Sequence, residues 1–285
     1  MIDGILDREE YIEQAYCFRA FRERLQDNVP SQEILAGLSE ELLNTSNLPK
    51  AIDFLRGEIL HTGRISPGMA RLGHYFTAFQ TFVMSRAEEE RSRFDQKTAL
   101  QALERLAEYL SGNPVPAGLF IYQFECIARN RLGYDRGMKA IADDPSYDEA
   151  WRDWIMKVRL RLGSTDFGQL IYYRSEQFVE EKRKRNAKYK PSYPILFGQK
   201  EGRIAKANRG KDPLYMFAAL QRQLGHPAVP RVRAVDPGPI IHPALEQRLQ
   251  RIETRLKILD AEVKGDFNIS EYFVKPEAAI EPPPS

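Results

Sequence analysis

The stretch DQKTALQALERLAEYLSGNP, residues 95–114, decides the fold class. Asp95 is a helix-capping residue type, Leu100, Leu103, Ala107 and Leu110 recur at spacings of three, four and three, and Gly112-Asn113-Pro114 follows as a stop. At 3.6 residues per turn that spacing lays the apolar side chains along one helix face, and the Gly and Pro cannot continue it.

The same grammar repeats on both sides. Toward the N-terminus, Asp7 with Glu10 reads as a capping-box start, and Tyr11, Ile12, Ala15, Tyr16, Phe18, Phe21 and Leu25 form a stripe wide enough to be deeply packed. Pro30 and Pro49 suit first helical turns, leading Ile34, Leu35, Leu38 and Leu42, then Ile52, Leu55 and Ile59 before Gly63. Ser66-Pro67 opens a helix expected to carry Leu72, Phe76, Phe79 and Val83 in one run. Toward the C-terminus, Phe120, Phe124 and Ile127 define a helix, although Leu119–Phe124 is aromatic and β-branched enough to resemble a strand. Trp151, Trp154, Ile155, Val158 and Leu162 mark the next, and Thr165-Asp166 begins a last one through Phe167, Leu170, Ile171 and Phe178. No alternating strand set competes. The expected fold is all-α: a multi-helix bundle or helical-hairpin stack over residues 1–190.

From Pro191 the texture changes. Eight prolines between 191 and 243 break the chain around one expected short helix, about 213–225, which Asp212 caps, Pro213 enters and Gly225 closes. Residues 191–243 read as a basic, Pro-rich arm. Beyond it, 244–264 read as an amphipathic helix and 265–285, ending in three prolines before Ser285, as a poorly ordered tail.

The 244–264 segment carries Leu245, Leu249, Ile252, Leu256, Leu259 and Val263 at alternating spacings of four and three. That average of 3.5 keeps an apolar seam against a partner helix in a left-handed coiled coil. In a parallel pair Arg248 meets Glu253 and Arg255 meets Asp260, whereas antiparallel pairing sets like charges together. A parallel oligomer is expected, and the alternative is a stripe docked on its own domain.

Composition is that of an ordinary globular chain, with 42% hydrophobic and 29% charged residues, which excludes a largely disordered protein. No apolar run is long enough to span a bilayer and no leader pattern opens the chain, so the expected location is cytoplasmic, without membrane contact. Two cysteines, Cys17 and Cys126, lie in apolar stripes with no CxxC partner and read as small core residues.

Charge is uneven. From Lys182 to Lys211 eleven Lys/Arg face one acid, Glu201, giving a local +10 in a chain of net +2. Lys182, Arg183, Lys184, Arg185, Lys200, Arg203, Lys206, Arg209 and Lys211 are therefore the anion-binding candidates, with Tyr189, Tyr193 and Phe197 as neighbouring stacking faces. Lys200, Arg203, Lys206 and Arg209 recur every three residues, which a helix would present along one side.

Other motifs carry less. Glu58-Ile59-Leu60-His61 has the Glu-x-x-His spacing of a di-iron ligand pair, but a bundle site needs two such motifs and this is the only one. Glu58 and His61 are weak metal candidates, and neither metal nor cofactor is expected. Asp143-Asp144-Pro145 before Ala150-Trp151 resembles the join between tetratricopeptide repeats, yet 34 residues away stand Pro116-Ala117 and Lys184-Arg185, so the period is absent. No Walker loop or Gly-x-Ser-x-Gly occurs. The leading expectation is a non-catalytic interaction or scaffold protein that oligomerises through its C-terminal helix and binds an unidentified protein. The alternatives are a nucleic-acid or polyanion binder acting through 182–211, and an enzyme whose pocket is assembled from distant residues.

Overall fold

A computed structural model describes residues 6–43, 45–89, 93–112 and 114–232, together with Ile252 and Leu256. Among the described residues it has thirteen helices and no strand; two isolated β-bridges join Leu162 to Thr165 and Ser175 to Phe197. Met1–Val232 form one compact unit and Arg233–Ser285 a second.

The first helices pair antiparallel neighbours and then close on the quoted stretch. Helix α1 (Arg8–Gln26) lies chiefly on α6 (Gln96–Ser111), and α2 (Ser31–Glu41) packs on α3 (Leu48–Thr62). The side chain of Asp95 accepts the Thr98 N–H, so α6 begins where its sequence says. Leu100, Leu103 and Ala107 are fully enclosed. On α1 the stripe is narrower than its apolar letters: Tyr11, Ala15, Phe18 and Phe21 are buried, while Ile12 and Tyr16 face outward. Asp7 makes no side-chain cap, and the Glu10 side chain, instead of completing a capping box, turns inward to accept the Asn47 N–H at 2.7 Å and the Tyr75 hydroxyl at 2.6 Å.

The run expected from Ser66 to Val83 is two helices. Helix α4 (Ser66–Arg71) stops at Leu72, and a capping box between Thr77 and Gln80 starts α5 (Ala78–Ala87). Glu88, just past α5, accepts the N–H groups of Ile65 and Ser66 and so serves the start of α4. Helix α7 (Pro116–Asn130) explains the strand-like letters of Leu119–Phe124: every residue from Ala117 to Ile127 is buried, so the helix needs no polar face.

Helix α7 meets α8 (Tyr134–Ala142), the rings of α9 (Glu149–Arg161) and α10 (Phe167–Tyr173), and, later in the chain, α13 (Pro213–Leu224), while α11 (Glu176–Arg185) and α12 (Gln199–Ala207) pack on α10. Phe120 meets Trp154 at 4.9 Å between ring centroids and Phe124 stacks on Phe167 at 4.0 Å, making an aromatic centre. The segment read as an arm contributes Phe197, Ala205, Met216, Phe217 and Leu220 to the core and holds two helices where one was expected. Helix α8 is not among the expected helices; its nine residues present only Tyr134, Met138 and Ile141 as large apolar or aromatic letters.

A polar seam runs through this interior. Gln80 donates to Gln14 at 2.9 Å; Gln123 donates to Asp144 at 2.9 Å and accepts from the Tyr147 hydroxyl at 2.7 Å. Asp144 also accepts the Ser146 N–H at 3.0 Å, and each of these groups is buried. Cys17 and Cys126 are buried thiols, pushed by burial up to about 12.

Of the C-terminal seam, Ile252 and Leu256 have helical backbone and are 52% and 56% exposed. Leu245, Leu249, Leu259 and Val263 lie outside the described residues, as do the remainder of the 244–264 helix and the 265–285 tail. No helix among the described residues is long and apolar enough to cross a membrane.

Candidate functional site: a cationic, aromatic cleft

The helix expected from Thr165 to Phe178 breaks at Arg174-Ser175, and that break builds a cleft. Ser175 is fully buried; its hydroxyl donates to the Tyr172 carbonyl at 2.7 Å and accepts the Phe178 N–H, ending α10 and capping α11. The chain then returns. Pro191 and Pro194 favour extended backbone, and Leu196 and Phe197 donate to the Arg174 carbonyl at 2.9 and 3.1 Å while Glu176 donates to the Phe197 carbonyl at 3.0 Å. Phe197 is thereby driven between Trp151 and Trp154, 5.3 and 5.2 Å away. It is 2% exposed and cannot serve as the stacking face expected of it.

Between the returning loop and α9 to α11 lies a cleft of about 580 Å³, lined by Trp154, Lys157, Val158, Arg161, Leu170, Tyr173, Arg174, Phe178, Lys182, Tyr189 and Tyr193. Four of these are cations, five are aromatic and none is acidic. Lys157 and Arg161 stand four apart on α9 and so share a face, where like charges repel. Arg161 sits in the last turn, where the partial negative charge of the helix end favours it. Arg174 donates to the Pro194 carbonyl at 3.2 Å and lies 4.6 Å from the centre of the Tyr193 ring. Burial depresses its pKa and the like charge of Arg161 adds to that, while Tyr193 and Asp153 oppose it. Lys182 sits over the Phe178 ring at 5.4 Å. Burial raises the pKa of the Tyr193 phenol, and a hydrogen bond with Tyr189 adds to the shift. Among the described residues none of the four cations forms a salt bridge.

The basic block divides by what its members touch. Lys206 pairs with Glu181 at 2.7 Å, holding that carboxyl down to about 2, and lies over the Tyr172 ring. Arg203 donates to Gln177 at 3.1 Å and Arg209 to Gln169 at 3.2 Å, with Arg209 also over Tyr172 at 4.9 Å. These three α12-side cations brace α12 against α10 and α11. Arg183, Lys184 and Arg185 are exposed at the end of α11, leading away from Lys182, and Lys200 is exposed at the start of α12. Lys211 lines a different cavity, of about 600 Å³, beside Asp166 and the Arg159–Asp135 ion pair.

Only Lys182 of the nine candidates enters the cleft. Lys157, Arg161 and Arg174 belong to segments that read as helix faces, and a search for charge runs passes over them. Glu58 pairs with Arg71 at 2.5 Å and His61 is exposed; among the described residues no group of three or more His, Cys, Asp or Glu is placed to hold a metal ion. The cleft is suited to holding an anion with a flat apolar part, because cations and aromatic rings line the same concavity. Neither a family model, nor a curated protein, nor a solved structure matches the chain.

Proposed function

We propose that the protein binds a polyanion, a chain of phosphates such as a nucleic-acid backbone, through the cleft between α9, α10, α11 and the 189–197 loop. One observation carries the reading: Lys157, Arg161, Arg174 and Lys182 line one concavity with no acid among its described walls, and among the described residues none of them forms a salt bridge. Grouped cations repel, and a protein normally relieves this with a carboxylate, as Glu181 does for Lys206. An anionic ligand would do so here. Arg183, Lys184 and Arg185 extend the positive surface beyond the cleft and give a long ligand further phosphate contacts.

The test is a titration of the intact protein with a fluorescent oligonucleotide at 50 and 200 mM salt. With about four phosphates neutralised, affinity for a single strand should fall by about 50-fold between the two. The double variant Lys157→Glu/Arg161→Glu should bind at least tenfold more weakly at the lower salt. Absence of binding at 50 mM salt, or binding that salt does not weaken, sinks the reading.

A second reading, self-association through Leu245–Val263, is favoured by Ile252 and Leu256, which share a face four residues apart and stand about half exposed. It is compatible with the first, because joined copies would engage one long polyanion at several clefts and gain from effective concentration.

A further inference from the structure

We infer that the cleft takes an unpaired strand of nucleic acid, its bases stacked on the tyrosines and its phosphates on the four cations; this rests on the polyanion reading above. Phosphates alone would be served by cations on a polar or convex surface. Here aromatic side chains share the cleft with the cations, and Tyr173 is 41% exposed although it belongs to the helix that covers the aromatic core. Its ring is held by its neighbours rather than free: Phe178 lies edge-on at 5.1 Å and the hydroxyl accepts from the Gln169 side chain. Tyr193 is fixed from the other side by Arg174 and Tyr189. A fixed, partly exposed ring is a platform, and every nucleobase has a face that can lie on one.

Size and shape separate the strand forms. A cleft of about 580 Å³ falls in the range of small-molecule pockets and is a concavity for nucleotide units, not for a rigid duplex. A duplex stacks its bases on each other and offers only phosphates to a surface like this, leaving the rings of the cleft without a partner. A single strand can turn its bases out onto aromatic side chains while its backbone follows the basic wall. The cations provide salt-dependent affinity for any phosphate chain, and the rings provide the preference for unpaired bases.

The experiment uses the intact protein and three probes at low salt: a twelve-residue oligothymidylate, a duplex of equal length, and inorganic polyphosphate. Binding is read by anisotropy or competition, and by the emission of the tryptophan pair Trp151 and Trp154, of which Trp154 lines the cleft. The expected order is single strand first, with tryptophan quenching only for that probe. Tyr173→Leu and Tyr193→Leu should each weaken the single strand about tenfold, leave polyphosphate within twofold, and leave the salt dependence unchanged. Tyr173 is partly exposed, so Tyr173→Leu should keep the native melting temperature; the measured melt separates lost stacking from lost folding. A duplex or polyphosphate that binds as tightly as the strand, or tyrosine variants that weaken all probes equally, overturns the strand inference and leaves the polyanion reading standing. Failure of all three probes to bind overturns that reading itself.

Discussion

Asp144 shows how one buried residue sets a property of the whole chain. Its carboxyl is 2% exposed, and burial, the largest influence, pushes its pKa above the ordinary value against the hydrogen bonds from Ser146, Gln123 and Thr77 that hold it down. The folded state therefore binds this proton more tightly than the unfolded chain. The stability it contributes is complete below the unfolded pKa, near 4, and is lost as pH rises through the raised folded value. Glu125 acts in the same sense: burial raises its pKa despite its ion pair with Arg129. Glu181, held down to about 2 by Lys206, acts oppositely: its stabilisation is complete above its unfolded value and is lost as pH falls toward about 2. Asp144→Asn keeps the shape and removes the titration. Urea denaturation should find the variant gaining on wild type as pH rises from 4.5 to 7, by about 1 kcal/mol for each unit of raised pKa. The same gap at both pH values would show that Asp144 titrates normally in the fold.

At the scale of elements, the cleft depends on how closely α12 approaches α11. Gly202 makes that approach: a Cβ built there would lie 2.2 Å from the Ser175 hydroxyl and 2.6 Å from the Ser175 Cβ. Ser175 has nowhere to move, being fully buried and bonded to the Tyr172 carbonyl. Gly202→Ala gains about 1 kcal/mol in helix propensity, but forcing a methyl into closed packing costs about 1–3 kcal/mol. The prediction is net destabilisation with a lower melting temperature and weakened ligand binding together, because the same Ser175 caps α11 and anchors the loop that carries Tyr189 and Tyr193. A variant as stable as wild type would show that the interface yields. Much of this level is legible in the letters. Asp95, Asp166 and Asp212 each accept an N–H at a helix start where the letters place one, and Gly63 and Gly225 take the left-handed backbone that ends α3 and α13, whereas Ser175 caps α11 inside a run that reads as one continuous helix. Helices α8 and α12 escape such reading because each has nine residues, with a glycine inside and few large apolar side chains. They are helical because a neighbour buries them, as Ala205 is buried, rather than through strong local preference.

For the whole molecule, the boundary at Val232 lets the helical unit be tested apart from the proposed seam. A chain ending at Val232 retains every helix from α1 to α13 and every residue lining the cleft. It should melt cooperatively and bind the oligonucleotide, while light scattering should find the intact chain alone self-associated. An intact chain that scatters at its own monomer mass, as the shorter chain does at its own, would remove the seam from the account. Composition and period by themselves determined the all-helical class, most helix starts and stops, the inert character of Cys17 and Cys126, and the concentration of positive charge between Lys182 and Lys211. All of these arise within a turn or two of chain, from capping, periodicity and residue type. Only the tertiary structure decided which charges are free. It neutralised Lys206 on Glu181, engaged Arg203 and Arg209 with glutamines, buried Phe197, and brought Lys157, Arg161 and Arg174 to Lys182. The physical reason is that a cation's role depends on what stands within a few ångströms of it in space. Here that neighbour is set by a bridge between residues 175 and 197 and by helices distant in the chain, which no local pattern encodes.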